Sequence, residues 1–183
     1  MKESQLCTEI VRSVNETPFS YAWKIPDVSG RDRQTHTFSP ARGFDLVIVH
    51  KGNTALVEAK LIKAPTTVPP RKFTEYEHRS LDAIERANGI ALIALGCVFE
   101  PTPIQRAKYE LPAKVKELYL FPYYHLEELW ESGEFSYPWI MEDKMCHKCC
   151  WSKGRWLMDM DAMFSKFPQS NKNWTLPFKP GRK

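Results

Sequence analysis

GFDLVIVH (residues 43–50), followed after Lys51-Gly52-Asn53 by TALVEAKL (residues 54–61), decides how the rest of the chain is read. Both runs are aliphatic and β-branched, and the Gly-centred pause between them predicts a β-hairpin. Alternate side chains of a strand share a face, so Glu58 and Lys60 project from the same side. A two-residue turn at Lys51-Gly52 or at Gly52-Asn53 sets Asp45 opposite Glu58 or Lys60, and either register brings the three together. A three-residue turn with a bulge would separate them. Val47, Val49 and Leu56 share this face, while Phe44, Leu46, Ile48, Ala55, Val57 and Ala59 line the other.

Outward from the hairpin, residues 2–15 carry Leu6, Cys7, Ile10, Val11 and Val14 at helical spacing. Phe19 to Ile25 is aromatic-rich and reads as a strand stopped by Pro26. Residues 27–42 are polar with Gly and Pro and read as a loop or projecting excursion. Residues 73–88 predict a helix that Asn88-Gly89 ends. The apolar run 89–96 suits a strand buried on both faces. Residues 117–122 read as a further strand and 124–132 as a short helix. This order predicts an α/β fold, a central mixed β-sheet flanked by helices, over residues 1–133. Residues 134–183 differ in character. They hold Trp139, Trp151, Trp156 and Trp174 with Cys146, Cys149 and Cys150, and read as an irregular appendage whose tryptophans pack a core rather than stack on bases.

The 183 residues, 43% hydrophobic and 26% charged, fit one soluble domain with an appendage. No run is long and apolar enough to cross a membrane and no signal-peptide core opens the chain, which predicts a cytoplasmic protein. Five cysteines, an odd number, argue against a disulfide framework. Cys7 and Cys97 sit in apolar settings. Cys146, Cys149 and Cys150 offer CxxC spacing, but a tetrahedral zinc needs four ligands and only His125 and Cys97 remain as recruits. The formal charge of +4 is mild. Its distribution is more telling: Arg31, Arg33 and Arg42 fall in one polar stretch, Arg71 and Lys72 in another.

Asp45, Glu58 and Lys60 cluster toward one end of an otherwise apolar strand pair. Unpaired charges there lose hydration. Two neighbouring carboxylates repel, which a divalent cation relieves, and hard oxygen ligands with open water positions suit Mg²⁺. An adjacent lysine orients a water or stabilises charge building on a phosphate. The residues thus point to metal-assisted phosphodiester hydrolysis. The plainer alternative is an ion-pair cluster at the rim of a sheet, but apolar strand surrounds each charge, which surface ion pairs seldom need.

The segment from Gly43 to Lys60 resembles the core of PD-(D/E)xK nucleases, whose fold is that of restriction endonucleases, and within them most resembles Holliday-junction resolvases of the RecU type. The similarity covers about residues 3–132. Trp23-Lys24-Ile25-Pro26 is similar to that family's Lys-x-Pro strand ending. Thr67-Val68-Pro69-Pro70 and Phe73-Thr74-Glu75-Tyr76-Glu77 resemble the loop and helix start after the E-A-K strand. Gly89-Ile90-Ala91 resembles the buried strand, and Tyr119-Leu120 to Leu129-Trp130 the closing strand and helix. The resemblance implies that Asp45, Glu58 and the Ala59 carbonyl hold Mg²⁺, with Mn²⁺ able to substitute, and that Lys60 serves the attacking water or the phosphate. Glu3 would assist through water, with Glu9 and Glu16 as competitors. Lys24, Arg31, Arg33, Arg42, Arg71, Lys72 and Glu77 would face DNA. A homodimer working on branched DNA in recombination or repair, in a bacterial or phage setting, is likewise implied.

Two departures stand out. Glu77 occupies the place where these resolvases carry glutamine, and the excursion 27–42 is shorter than their junction-probing stalk. The alternatives are a nuclease of the same fold acting on linear duplex, flaps or single strands, and a DNA-binding protein whose metal site no longer turns over.

Overall fold

The computed structural model describes residues 1–26, 43–65, 67–133 and 135–166. The excursion 27–42 with Arg31, Arg33 and Arg42, and Trp174, lie outside the described residues. The strands are β1 (Ser20–Lys24), β2 (Leu46–His50), β3 (Asn53–Ile62), β4 (Ile90–Phe99), β5 (Val115–Pro122), β6 (His147–Ser152) and β7 (Arg155–Leu157). The helices are α1 (Glu3–Asn15), α2 (Glu75–Arg86), α3 (Pro103–Tyr109), α4 (Tyr123–Glu131), α5 (Tyr137–Glu142) and α6 (Met160–Lys166). All seven strands form one sheet in chain order. Neighbours run antiparallel except β3 and β4, which are parallel. A parallel pair needs a crossover, and α2 supplies it. The α/β architecture with a helix-flanked mixed sheet is therefore as the sequence predicts.

The hairpin forms with a two-residue turn. Lys51 (φ 47°) and Gly52 (φ 83°) both take the left-handed backbone that a type I′ turn requires, and His50 pairs with Asn53. From there the ladder runs without a bulge to Leu46 opposite Val57. One step further the register sets Asp45 opposite Glu58. The ladder's last bonds are Asp45 N–H to the Val57 carbonyl, 2.9 Å, and Ala59 N–H to Asp45 Oδ2, 3.1 Å.

Alternation along the strands divides the core in two. Leu46, Ile48, Val57, Ala59 and Leu61 pack with Leu6, Ile10 and Val14 of α1 and with Met160, Met163 and Phe164 of α6. On the other face Ile93, Leu95, Tyr119 and Phe121 pack with Leu81 of α2, Leu126 and Leu129 of α4, and Tyr137 and Ile140 of α5. β4 serves both clusters, its residues buried with the exception of the half-buried Val98. A continuous apolar run is what such a strand demands.

Residues 135–166 correct the reading of an irregular, sheetless appendage. β6 pairs with β5, β7 pairs with β6, and Cys149, Trp156 and Met158 enter the α1-side core. Trp156 is fully buried beside Trp151, ring centroids 4.9 Å apart, and its backbone N–H bonds Ser13 Oγ at 2.9 Å. HKCCWS lacks period-2 alternation, which is why it gives no strand signal. The turn does give one: Lys153 (φ 49°) and Gly154 (φ 79°) repeat the Lys51-Gly52 geometry. Tryptophans as core packing is what the sequence reading favours, and the structure agrees for Trp156.

Because β6 covers the edge of β5 and Trp156 fills the α1-side core, a chain ended at Gly133 should show no cooperative thermal transition by circular dichroism. Trp156→Ala in the whole chain should cost about 3–5 kcal/mol, read from the shift in denaturant midpoint.

Candidate active site

The acidic face of β3 is covered by the start of α2. Thr74 caps that helix: its Oγ1 accepts the Glu77 N–H at 3.2 Å, and Glu77 Oε2 accepts the Thr74 N–H at 2.7 Å. This reciprocal pair is a capping box. It aims the other carboxylate oxygen of Glu77 back at the sheet, where Oε1 receives Lys60 Nζ at 2.8 Å. Lys60 also donates to Glu58 Oε1 at 2.5 Å, and its ammonium lies 5.3 Å from the centre of the Phe73 ring. Lys60 is thus held between two carboxylates under an aromatic lid. The side chains of Glu58, Lys60 and Glu77 keep only 4%, 8% and 15% of their exposure, so this is not an ion pair on an open rim.

The electrostatics follow from that enclosure. Burial pushes the Glu58 carboxyl up to about 9, and the charge of Asp45 adds to the push while Lys60 opposes it. For Lys60, burial works to lower the value, but Glu58 and Glu77 outweigh it and leave the ammonium favoured. Burial would likewise raise Glu77, yet hydrogen bonds from Lys60 and the Thr74 amide bring it below the usual carboxylate range. Glu58 and Glu77 together keep Lys60 charged, and Glu58 is the acid whose charge the fold resists. The Cys7 thiol of α1, pushed up to about 12 by burial and then by Asp45, also feels Glu58 and Glu3.

Asp45 and Glu58 fit a hard cation. They are oxygen donors on adjacent strands, and each disfavours the other's charge. Among the described residues no group of three or more His, Cys, Asp or Glu side chains is placed to hold a metal. A cation here would accordingly rest on two carboxylates, the Ala59 carbonyl and water, a partly hydrated site of the kind Mg²⁺ uses.

The other expected residues are distributed as follows. Glu3 accepts the Leu61 N–H at 3.2 Å and lies 4.0 Å from Lys72 Nζ, at the end of β3 rather than against Glu58. Glu9 instead pairs with Lys116 at 3.2 Å, and Glu16 with Arg12 and Arg155 at 3.2 and 2.6 Å, so neither competes with Glu3. Arg71 is exposed in the 3-10 turn Pro70–Lys72. Lys24 follows Ala22 on the α1 side of the sheet, the face opposite Glu58. Glu77, expected to meet DNA, turns inward to Lys60 because the capping box fixes it. The cysteines of the CxxC segment part company: Cys146 enters the α2-side core, Cys149 the α1-side core, and Cys150 is exposed. Alternation along β6 sends the last two to opposite faces, which removes the basis for a structural zinc.

Sequence reasoning passed over one surface beside the site. Tyr21 and Trp23 pair with Val49 and Val47, so they stand on the Glu58 face of the sheet. Both are exposed, as is Phe19 just before them, and the Tyr21 and Trp23 rings lie 5.8 Å apart. Aromatic residues at 19, 21 and 23 were the available signal.

Two outcomes test this electrostatic arrangement. The folded value of Glu58 is raised, so its contribution to stability is full below about pH 4.5 and is lost as pH rises toward about 9. In EDTA, Glu58→Gln should therefore raise the melting temperature at pH 8 by about 2–6 °C and have little effect at pH 4. Glu77→Ala should cost about 1 kcal/mol in lost capping, whereas Glu77→Gln, which can still cap and still accept from Lys60 but brings no charge, should melt between the alanine variant and the parent at neutral pH. Scanning calorimetry over pH reads both. No protein-family model matches this chain and no curated protein matches it, so its function rests on the geometry of these residues.

Proposed function

We propose that the protein is a metal-dependent endodeoxyribonuclease that hydrolyses phosphodiester bonds, selective for branched DNA and working as a homodimer. The observation that carries this reading is Lys60, held between Glu58 and Glu77 on the face that Asp45 shares. A buried carboxylate pair with a tethered ammonium is costly as a purely structural device, since an apolar replacement of similar volume is often as stable. The same arrangement is useful for phosphoryl chemistry. When bound by Asp45, Glu58 and the Ala59 carbonyl, a divalent cation such as Mg²⁺ neutralises charge on the phosphate and makes water a better nucleophile. Glu58 turned to a cation releases one hydrogen bond of Lys60, and Glu77 retains the other. The ammonium would then be free to donate to a phosphate oxygen as water adds to phosphorus, giving its proton to bulk water, and as the bond to the leaving oxygen breaks with a solvent proton taken up there. Its position beside the reacting group costs no reorganisation at that moment.

The aromatic pair Tyr21 and Trp23 supports selectivity for DNA with unpaired bases. Sheet-face aromatics offer stacking platforms that any base can use, and a branch point presents such bases, as do flaps and single strands. A nuclease of the same fold acting on flaps or single strands is therefore the second reading. Paired cuts across a four-way junction require two sites, which a symmetric dimer provides. A setting in DNA recombination or repair belongs to the same proposal. Among the described residues no helix is long and apolar enough to cross a membrane.

A labelled four-way junction and its matching linear duplex, each with Mg²⁺, Mn²⁺ or EDTA, test the reading directly. Paired nicks in the junction alone are expected, abolished by EDTA and reduced at least about a hundredfold by Glu58→Ala or Lys60→Met. Equal cutting of both DNAs would keep the chemistry and remove the junction selectivity. Binding without metal-dependent cutting by folded protein would favour the catalytically silent alternative.

A further inference from the structure

A cleft of about 440 Å³ opens at the C-terminal end of β3, lined by Lys2, Glu3, Leu61, Lys63 and Lys72. Three ammonium groups meet one carboxylate there, three positive charges against one negative. The carboxylate is already engaged, since Glu3 Oε1 accepts the Leu61 N–H and lies 4.0 Å from Lys72. Among the described residues, no carboxylate pairs with Lys2 or Lys63. Unneutralised positive charge in a concave, partly apolar setting attracts anions more strongly than the same charge on a convex surface. Nothing in the hydrolytic site uses these lysines.

The cleft lies beside the hydrolytic residues, where a second phosphate of the same substrate would pass. β3 carries Glu58 and Lys60 on its α2 side, and the cleft begins at the next residue. Lys63 follows Lys60 by about 10 Å of extended chain. Lysine serves phosphate as a mobile point charge rather than a fixed fork, which suits a backbone contact that positions a strand without reading sequence.

We propose that this cleft binds a backbone phosphate of the DNA strand flanking the bond cut at Asp45, Glu58 and Lys60. It thereby sets how far the strand advances across the site. The identity of the anion rests on the nuclease reading, whereas the convergence of Lys2, Lys63 and Lys72 does not. Glu3 then acts as the residue that keeps Lys72 and the end of β3 in place for that phosphate.

The test is the salt dependence of binding. Lys2→Ala combined with Lys63→Ala alters exposed side chains that pair with no carboxylate among the described residues, so the fold should hold, and circular dichroism checks this. Affinity for a fluorescent duplex is measured in EDTA from 50 to 200 mM KCl. The double variant is expected to bind several-fold more weakly, with a log–log salt slope shallower by about 0.9, the value for one lost phosphate contact. With Mg²⁺, KM should rise while kcat at saturating DNA stays near the parent value. An unchanged slope and affinity in the folded variant would overturn the assignment. Parent protein that binds DNA with this lysine-dependent slope but never cuts it would sustain the cleft and sink the nuclease reading. Binding of pyrophosphate, seen as a lysine-dependent thermal shift, without any binding of DNA would overturn the cleft as a strand-binding site.

Discussion

Lys51 and Gly52 lie in left-handed backbone at the tip of the β2–β3 hairpin, and every contact of the candidate site depends on the register they impose. In a strand the side-chain period is two, so a slip of one residue exchanges the faces. Glu58 and Lys60 would then point at α1 and lose Glu77, while Val57 and Ala59 would meet the cap of α2. The left-handed pair forbids that slip by closing the turn in two residues, and the apolar pattern of Leu46, Ile48, Val57 and Ala59 against α1 forbids it independently. Local turn chemistry and long-range burial thus specify one register. Asp45, at the end of the ladder, accepts the Ala59 N–H, and so reports whether the register is correct over its whole length.

How far the sequence makes this legible depends on the physical signal each element carries. The hairpin, α1, α2, β4, β5 and α4 each combine a clear period with a stop residue, and all are found within a few residues of their expected ends. The Asp45, Glu58 and Lys60 grouping follows from period two and a short turn, so it too is legible. Glu77 is not. Its role comes from a capping box that points one oxygen at the helix and the other at Lys60, and only the crossover from β3 to α2 brings those together. β6 and β7 are hidden because HKCCWS mixes thiols, charge and indole without alternation. The lysine cleft is hidden for a different reason: Lys2 and Lys63 are distant in sequence, and packing of α1 against the end of β3 is what joins them.

Glu77 has a local reason to be an acid rather than a glutamine. Glutamine can cap the helix and accept from Lys60, but it brings no charge. Here Glu58 is buried and crowded by Asp45, so its ionised form is disfavoured, and Lys60 would lose its counter-charge whenever Glu58 is neutral. An ionised Glu77, kept low by Lys60 and the Thr74 amide, adds a second counter-charge for the ammonium beside Glu58. An acid at this position thus gives Lys60 a counter-charge that does not depend on Glu58 alone.

Charge along β3 is graded rather than mixed. Glu58, with Asp45 opposite, is carboxylate-rich; Lys60 is balanced by two acids; the end of the strand at Leu61 and Lys63 faces a cleft with excess ammonium. Such a gradient favours an extended polyanion lying along the strand end, with one phosphate at the lysines and another drawn toward the carboxylates only when a cation has neutralised them. Metal-free protein would then repel the reacting phosphate while still attracting its neighbour. Binding and chemistry would be separable along this strand because Lys63 stands about 16 Å of extended chain from Glu58, which is why substitutions at the cleft and at Glu58 should act on different observables.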